Sequence, residues 1–173
     1  MNLEMAATEE MVRIARVTHP HSVCLVPEKR QELTTEGGLD VMCQMARVRG
    51  ACQKISAKGI KVSLFINPDP NQVSAAQDAG ADMVEIHTGA YAEAAGAIRS
   101  MELKKMSDAC ALARRLGLVV NAGHGLDYDN VGPIVRIDGM NELNIGFSII
   151  ARALFVGLAS AVHEMKALVS AGG

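Results

Sequence analysis

Residues 83–88 read MVEIHT, and the fold turns on which way these side chains point. In a strand, successive side chains face opposite sides. Val84 and Ile86 therefore share one face, and Glu85 and His87 share the other. The same alternation runs through NLEM (2–5), KVSLFI (61–66), LVVNAG (118–123) and LNIGF (143–147), with SVCLVP (22–27) as a sixth, more uniformly apolar run. One set of positions holds Leu3, Met5, Val62, Leu64, Ile66, Leu118, Val120, Ala122, Leu143 and Ile145. The other holds Asn2, Glu4, Ser63, Asn121 and Asn144 beside Glu85 and His87.

Helical patterns alternate with these runs, which calls for a parallel sheet with helical crossovers. Thr8 caps the first helix, with Glu9 and Glu10 in its first turn and Met11, Ile14 and Ala15 as its buried stripe. Longer helices are expected over 39–57, 71–79, 101–116 and 148–169, with Gly59, Gly80 and Gly117 as stop signals. A doubly wound sheet covers both faces of its central strands with helices, so both alternating sets should be apolar. Here one set is polar. The pattern fits a TIM (β/α)8-type barrel with a helix-covered outside and a polar lumen. Such a barrel has eight strands and about 250 residues. The sequence offers about six strands in 173 residues. The expectation is a single domain over 1–173, a barrel truncated at its N-terminus to about six βα units.

Composition narrows the function. With 17 Lys and Arg against 19 Asp and Glu, the formal charge is −2, which gives no long-range attraction to nucleic acid or anionic lipid. No apolar run reaches the length of roughly 20 residues that spans a bilayer, and residues 1–10 lack the pattern of a signal peptide. A cytoplasmic protein without nucleic-acid or membrane partners is expected. Cys24, Cys43, Cys52 and Cys110 form no C-x-x-C pair and read as small core residues of a reducing compartment. His19, His21 and His163 read as surface residues, and the ten methionines as core filler.

Candidate site residues lie where strands end. VNAGHGLDY (120–128) sets His124 between Gly123 and Gly125, glycines that permit unusual backbone angles and close approach of a ligand. A histidine there can exchange protons near neutral pH; a surface-loop histidine between turn glycines is the alternative. NIGF (144–147) runs into the last helix, and backbone N–H groups from Gly146 onward would cradle an anion. Close strand–helix packing would ask for the same small residue. Glu4 and Glu85 are inward carboxylates, suited to general acid–base work or to structural pairing. VPEKRQELTTEGG (26–38) reads as a substrate loop, with Lys29 and Arg30 for charge, Thr34 and Thr35 for hydroxyls, and Gly37 and Gly38 as flexible ends. A solvated turn is its alternative.

Taken together, NLEMAATEEM, CLVPEKRQELTTEGGLDV, VSLFI, EIHTGAYAEA, VNAGHGL and ELNIG resemble the pyridoxine 5'-phosphate synthase family of vitamin B6 biosynthesis, from residue 2 to about 169. The resemblance implies condensation of 1-deoxy-D-xylulose 5-phosphate with 3-amino-2-oxopropyl phosphate, releasing phosphate and water, with no metal or organic cofactor. It implies octamers built from dimers. Glu4 matches an acid–base glutamate, His124 a proton-donating histidine, and Glu85 a transition-state-stabilising glutamate. Thr34 matches a substrate-binding threonine, and Gly125 and Gly146 match backbone phosphate contacts.

Two departures follow. Phe147 stands where the family commonly has a histidine, which implies weaker phosphate binding. The family's opening Asn-Ile-Asp-His and His-Leu-Arg-Glu-Asp strands, with further substrate-binding and catalytic groups, have no counterpart here. A 173-residue form is therefore expected to be catalytically crippled and poorly soluble. The alternative is an inactive partial barrel acting as a phosphometabolite-binding or assembly subunit. A different phosphate-binding barrel enzyme, such as an epimerase or aldolase, is weakened by the lack of a lysine at any strand end.

Overall fold

The computed structural model describes residues 1–28 and 37–171. Most of the substrate loop, with Lys29, Arg30, Thr34 and Thr35, lies outside them. Six strands are described: β1 (Asn2–Ala6), β2 (Ser22–Val26), β3 (Lys61–Ile66), β4 (Met83–His87), β5 (Val119–Gly123) and β6 (Met140–Asn144). Each pairs in parallel with the next, so the order across the sheet is β1-β2-β3-β4-β5-β6. A doubly wound sheet reverses direction at a switch point, whereas a barrel adds its strands in sequence. The order is therefore that of barrel winding, over about six βα units of a TIM-type barrel.

Helices α1 (Glu9–Thr18), α2 (Met45–Ser56), α3 (Pro70–Asp78) and α5 (Gly96–Arg115) follow β1 to β4. Between the last two lies a short α4 (Gly89–Glu93), and α6 (Val131–Val135) follows β5. The core forms where the apolar parity of the sheet meets these helices: Val23, Leu25, Val62, Leu64, Ile66, Val84, Ile86, Val120 and Ala122 are all buried there, with Val48, Ile55, Val73, Met106 and Ala113. The outer strands are more open than the inner ones, with Glu4 of β1 and Asn141 and Glu142 of β6 exposed.

Local signals acted where expected. The Thr8 hydroxyl accepts from the Met11 N–H at 3.2 Å, a cap worth about 1 kcal/mol. Val12 and Ala15 form the buried stripe of α1, with Ile14 only half-buried. Gly59, Gly80 and Gly117 have φ of 74°, 85° and 81°, the left-handed conformation that ends a helix.

Several boundaries differ from the sequence reading. The helix expected from Leu39 begins at Met45, because residues 41–44 form a turn. There the Asp40 carboxylate accepts from the Cys43 N–H, and Val41 N–H donates to Gln72 of α3. Helix α5 starts at Gly96 rather than Met101. The last strand is Met140–Asn144 rather than 143–147, and Gly146 is already the N-cap of the next helix. A bulge between Val120 and Asn121 leaves Asn141 outside the one-to-one pairing of β5 and β6, a shift that alternation alone does not reveal. The long final helix is two, α7 (Phe147–Val156) and α8 (Leu158–Ala171), broken at Gly157 with φ 82°. The methionines divide: Met5, Met106 and Met165 are buried, whereas Met1, Met42 and Met101 are exposed. No residue of α7 is buried, and Phe147, Leu154 and Phe155 are 90%, 82% and 86% exposed.

Candidate active site

The polar parity of the strands meets at Glu85. Its Oε2 accepts from Asn144 Nδ2 of β6 at 2.7 Å and from Cys24 Sγ of β2 at 3.5 Å. In a flat sheet β2 and β6 would lie about 19 Å apart, at roughly 4.8 Å per strand spacing. That side chains from both reach one oxygen on β4 requires a strongly rolled sheet with Glu85 on its concave face. The space is tight. A Cβ added to Gly123 of β5 would lie 2.5 Å from Glu85 Oε1 and 2.9 Å from the Asn144 carbonyl. Glycine at 123 therefore makes room for the carboxylate.

Glu85 is 4% exposed. Burial pushes its carboxyl above the ordinary range, the bonds from Asn144 and Cys24 pull it back, and the charges of Glu4 and Glu142 push it up again. Glu4 thus shares the concave face, directly opposite Cys24 in the register of β1 and β2, but is itself exposed. Cys24 is buried as expected of a core cysteine, yet it belongs to the polar face. Burial first, then the Glu85 charge, push its thiol far up, so it is no nucleophile near neutral pH.

At the C-terminal ends of the strands three rings pack together. His87 lies edge-on to Phe65, centroids 5.2 Å apart, and the His124 ring is 4.9 Å from His87 and 6.5 Å from Phe65. Gly89 allows this, since a Cβ there would come within 2.7 Å of His87 Nε2 and 3.3 Å of His124 Cδ2. His124 itself has φ 85°, with Gly125 next at 74°. The unusual backbone angle expected of Gly123 is carried by the histidine instead. For a non-glycine residue this is strained geometry, held only where the surroundings enforce it.

The surroundings do enforce it. Thr88 donates its hydroxyl to the carbonyls of Gly123, at 2.7 Å, and His124. Further along, Asn130 Nδ2 donates to the Gly125 carbonyl at 3.2 Å, and the Tyr91 hydroxyl donates to the Asn130 carbonyl at 2.8 Å. Ser148 Oγ donates to the Leu126 carbonyl at 2.8 Å, tying the first turn of α7 to this loop. Gly125 and the N-terminus of α7, with Gly146 as its cap and Phe147 as its first residue, therefore belong to one neighbourhood. Phe147 projects into solvent.

His87, His124 and Gly125 thus gather at the strand ends, with Glu85 in the middle of β4 below them and Glu4 deeper on the same face. Gly38, expected to be a flexible loop end, is fixed: its N–H donates to Asn67 Oδ1 at 2.9 Å, and a Cβ would lie 2.5 Å from the Asn67 backbone nitrogen. Close packing on the end of β3 selects glycine there. Sequence reasoning missed Cys24, Phe65, Thr88, Gly123 as a space-maker, and Asn144 as the partner of Glu85. Cys24 and Phe65 share the parity of the polar set, which marked them. Among the described residues, no group of three His, Cys, Asp or Glu side chains is arranged to hold a metal ion, and no helix is long and apolar enough to cross a membrane.

A rolled parallel sheet with a buried carboxylate, a strained histidine loop and a helix N-terminus at its strand ends defines a β/α-barrel enzyme suited to phosphorylated substrates. Residues 1–171 match the family model described as "Pyridoxal phosphate biosynthesis protein PdxJ". The chain belongs to this family, whose members are enzymes of vitamin B6 biosynthesis. It is 59% identical over 167 residues to a pyridoxine 5'-phosphate synthase of Synechococcus sp. (strain JA-2-3B'a(2-13)), covering 96% of this chain and 70% of that protein. To the protein of the same name from Synechococcus sp. (strain RCC307) it is 56% identical over 171 residues, covering 99% and 68%. The fold is also similar to the citrate synthase SbnG, with TM-score 0.62, 12% identity and coverage of 99% and 74%. A fructose-1,6-biphosphate aldolase from Coccidioides immitis, itself described as putative, gives 0.61, 18%, 95% and 61%. These two likenesses concern fold alone.

Proposed function

We propose that this chain carries the carboxylate, imidazole and phosphate-binding part of a pyridoxine 5'-phosphate synthase site, condensing 1-deoxy-D-xylulose 5-phosphate with 3-amino-2-oxopropyl phosphate. One observation carries the reading: a buried glutamate, its carboxyl raised by burial, on the same concave face as Glu4 and one strand from the loop of His124. Imine formation, dehydration and ring closure all move protons, so groups that alternate as acid and base matter more than a strong nucleophile. Glu4, exposed on the lumen side, is placed to take a proton from bound substrate. His124, on its clamped loop, is placed to give one. Glu85, bonded by Asn144, stabilises positive charge developing beside it. N–H groups of Gly125 and of the α7 N-terminus at Gly146 hold a substrate phosphate. Thr34 would add a hydroxyl contact. The enzyme works in the cytoplasm as a homo-oligomer, an octamer by family resemblance, without metal or organic cofactor.

The test is a chimera in which residues 1–171 replace the matching part of the Synechococcus JA-2-3B'a(2-13) relative. It should form pyridoxine 5'-phosphate from the two substrates, and His124→Asn should lower kcat by about 100-fold or more, the typical worth of a positioned acid. A folded but inactive chimera would refute the reading. The chain spans about seven-tenths of these relatives. If it binds phosphate substrates without turnover even in the chimera, the reading of a binding or assembly subunit takes its place.

A further inference from the structure

The motif that the proposed chemistry leaves unused is the threonine of EIHTG. Thr88 is the N-cap residue of α4, where a threonine hydroxyl ordinarily accepts from the helix's own N–H groups. Here it makes no such bond. The hydroxyl reaches across to β5 instead, donating to the Gly123 and His124 carbonyls. The Thr88 N–H also donates to the Gly123 carbonyl, at 2.9 Å. Thr88 has no exposed surface. So the side chain is withdrawn from local helix capping and spent on the two residues that bracket the strained turn at His124, whose φ is 85°.

From this we infer that Thr88 is a positioning residue for His124: its hydroxyl fixes the His124 carbonyl, and with it the backbone angle that lays the imidazole beside His87 and Phe65. A hydroxyl has one proton and faces two acceptors, so it can shift between them while keeping both carbonyls turned inward. Without it the His124 carbonyl faces a buried methyl. The turn then relaxes toward ordinary negative φ, carrying the ring away from the strand ends.

The inference rests on the reading of His124 as the proton donor, and two readouts separate them. The first is independent of activity. In the 173-residue chain, diethyl pyrocarbonate modification of His124, followed by mass spectrometry with buried His87 as internal reference, reads how the ring is held. Thr88→Val, equal in shape, should speed modification several-fold, and Thr88→Ser should restore the parent rate. The second is catalysis in the chimera. Thr88→Val should lower kcat by about tenfold with KM little changed, as displacement of a catalytic group does, while Thr88→Ser stays near the parent. Equal His124 modification in Thr88→Val and parent overturns the inference, as does a Thr88→Ser form that behaves like Thr88→Val. If Thr88→Val does not fold, the serine form decides, because loss of the methyl alone should leave His124 modification unchanged. If the chimera is inactive, the proton-donor reading fails and the modification rates still judge the clamp.

Discussion

Replacing Gly123 by alanine tests the crowding around Glu85 directly. The new Cβ would sit 2.5 Å from Glu85 Oε1 and 3.1 Å from Asn144 Cβ. The backbone at 123 is not left-handed, so alanine is conformationally acceptable and even gains roughly 0.4–1 kcal/mol by restricting the unfolded chain. Against this stand about 1–3 kcal/mol for overpacking and about 1.5–3 kcal/mol for the Asn144 bond to a charged partner if the carboxylate is driven aside. The net expectation is a loss of about 3 kcal/mol, which for a domain of this size lowers Tm by roughly 6–12 °C. Thermal and urea unfolding of Gly123→Ala would measure it. The decisive control is the double-mutant cycle with Glu85→Ala, because removing the carboxylate leaves the methyl room. In that background Gly123→Ala should cost clearly less, the remainder coming from the Asn144 carbonyl that the new Cβ would still meet at 2.9 Å. A Gly123→Ala protein as stable as its parent, or an equal loss with and without Glu85, would refute the reasoning.

Because the Glu85 carboxyl is raised in the folded state above its ordinary 4.5, its contribution favours the fold at low pH and is lost as pH rises through the raised value. Glu85→Gln should flatten that decline in a pH series of urea midpoints, and an unchanged slope would contradict it. Of the cysteines, only Cys43 is exposed, so a thiol–disulfide reagent should modify it first and the other three on unfolding. Asp40 beside it raises the Cys43 thiol, and Asp40→Asn should speed that reaction. Phe147→His should tighten phosphate binding at the α7 N-terminus by about 1–2 kcal/mol through a charge-assisted bond, measurable by calorimetry with inorganic phosphate. Phe155→Glu should reduce self-association in sedimentation if the exposed face of α7 drives it.

The barrel was legible because alternation is a geometric signal carried by the sequence itself. Glu85 and His87 could share a face only if that face was not packed under helices. That Glu85, Asn121 and Asn144 lie on the face opposite the helix-packed one was legible for the same reason. What was not legible depends on distance across the sheet. Nothing in LNIGF says that Asn144 reaches β4, since a bulge at Val120 sets the register of β6. Gly123 and Gly125 look alike in sequence, yet one clears space for a carboxylate and the other follows a strained turn. Nothing in MVEIHT says that the Thr88 hydroxyl reaches the Gly123 and His124 carbonyls. The break at Gly157 was missed because apolar periodicity continues on both sides of it.

The consecutive strand order has a consequence for how the molecule comes apart. Each strand rests on the one made before it and the one made after it, so the sheet is a row of neighbours. Openings should therefore begin at the two ends of the row and run inward. Amide deuteration ought to be fastest in β1 and β6 and slowest in β3 and β4, leaving the carboxylate on β4 among the last groups to meet solvent.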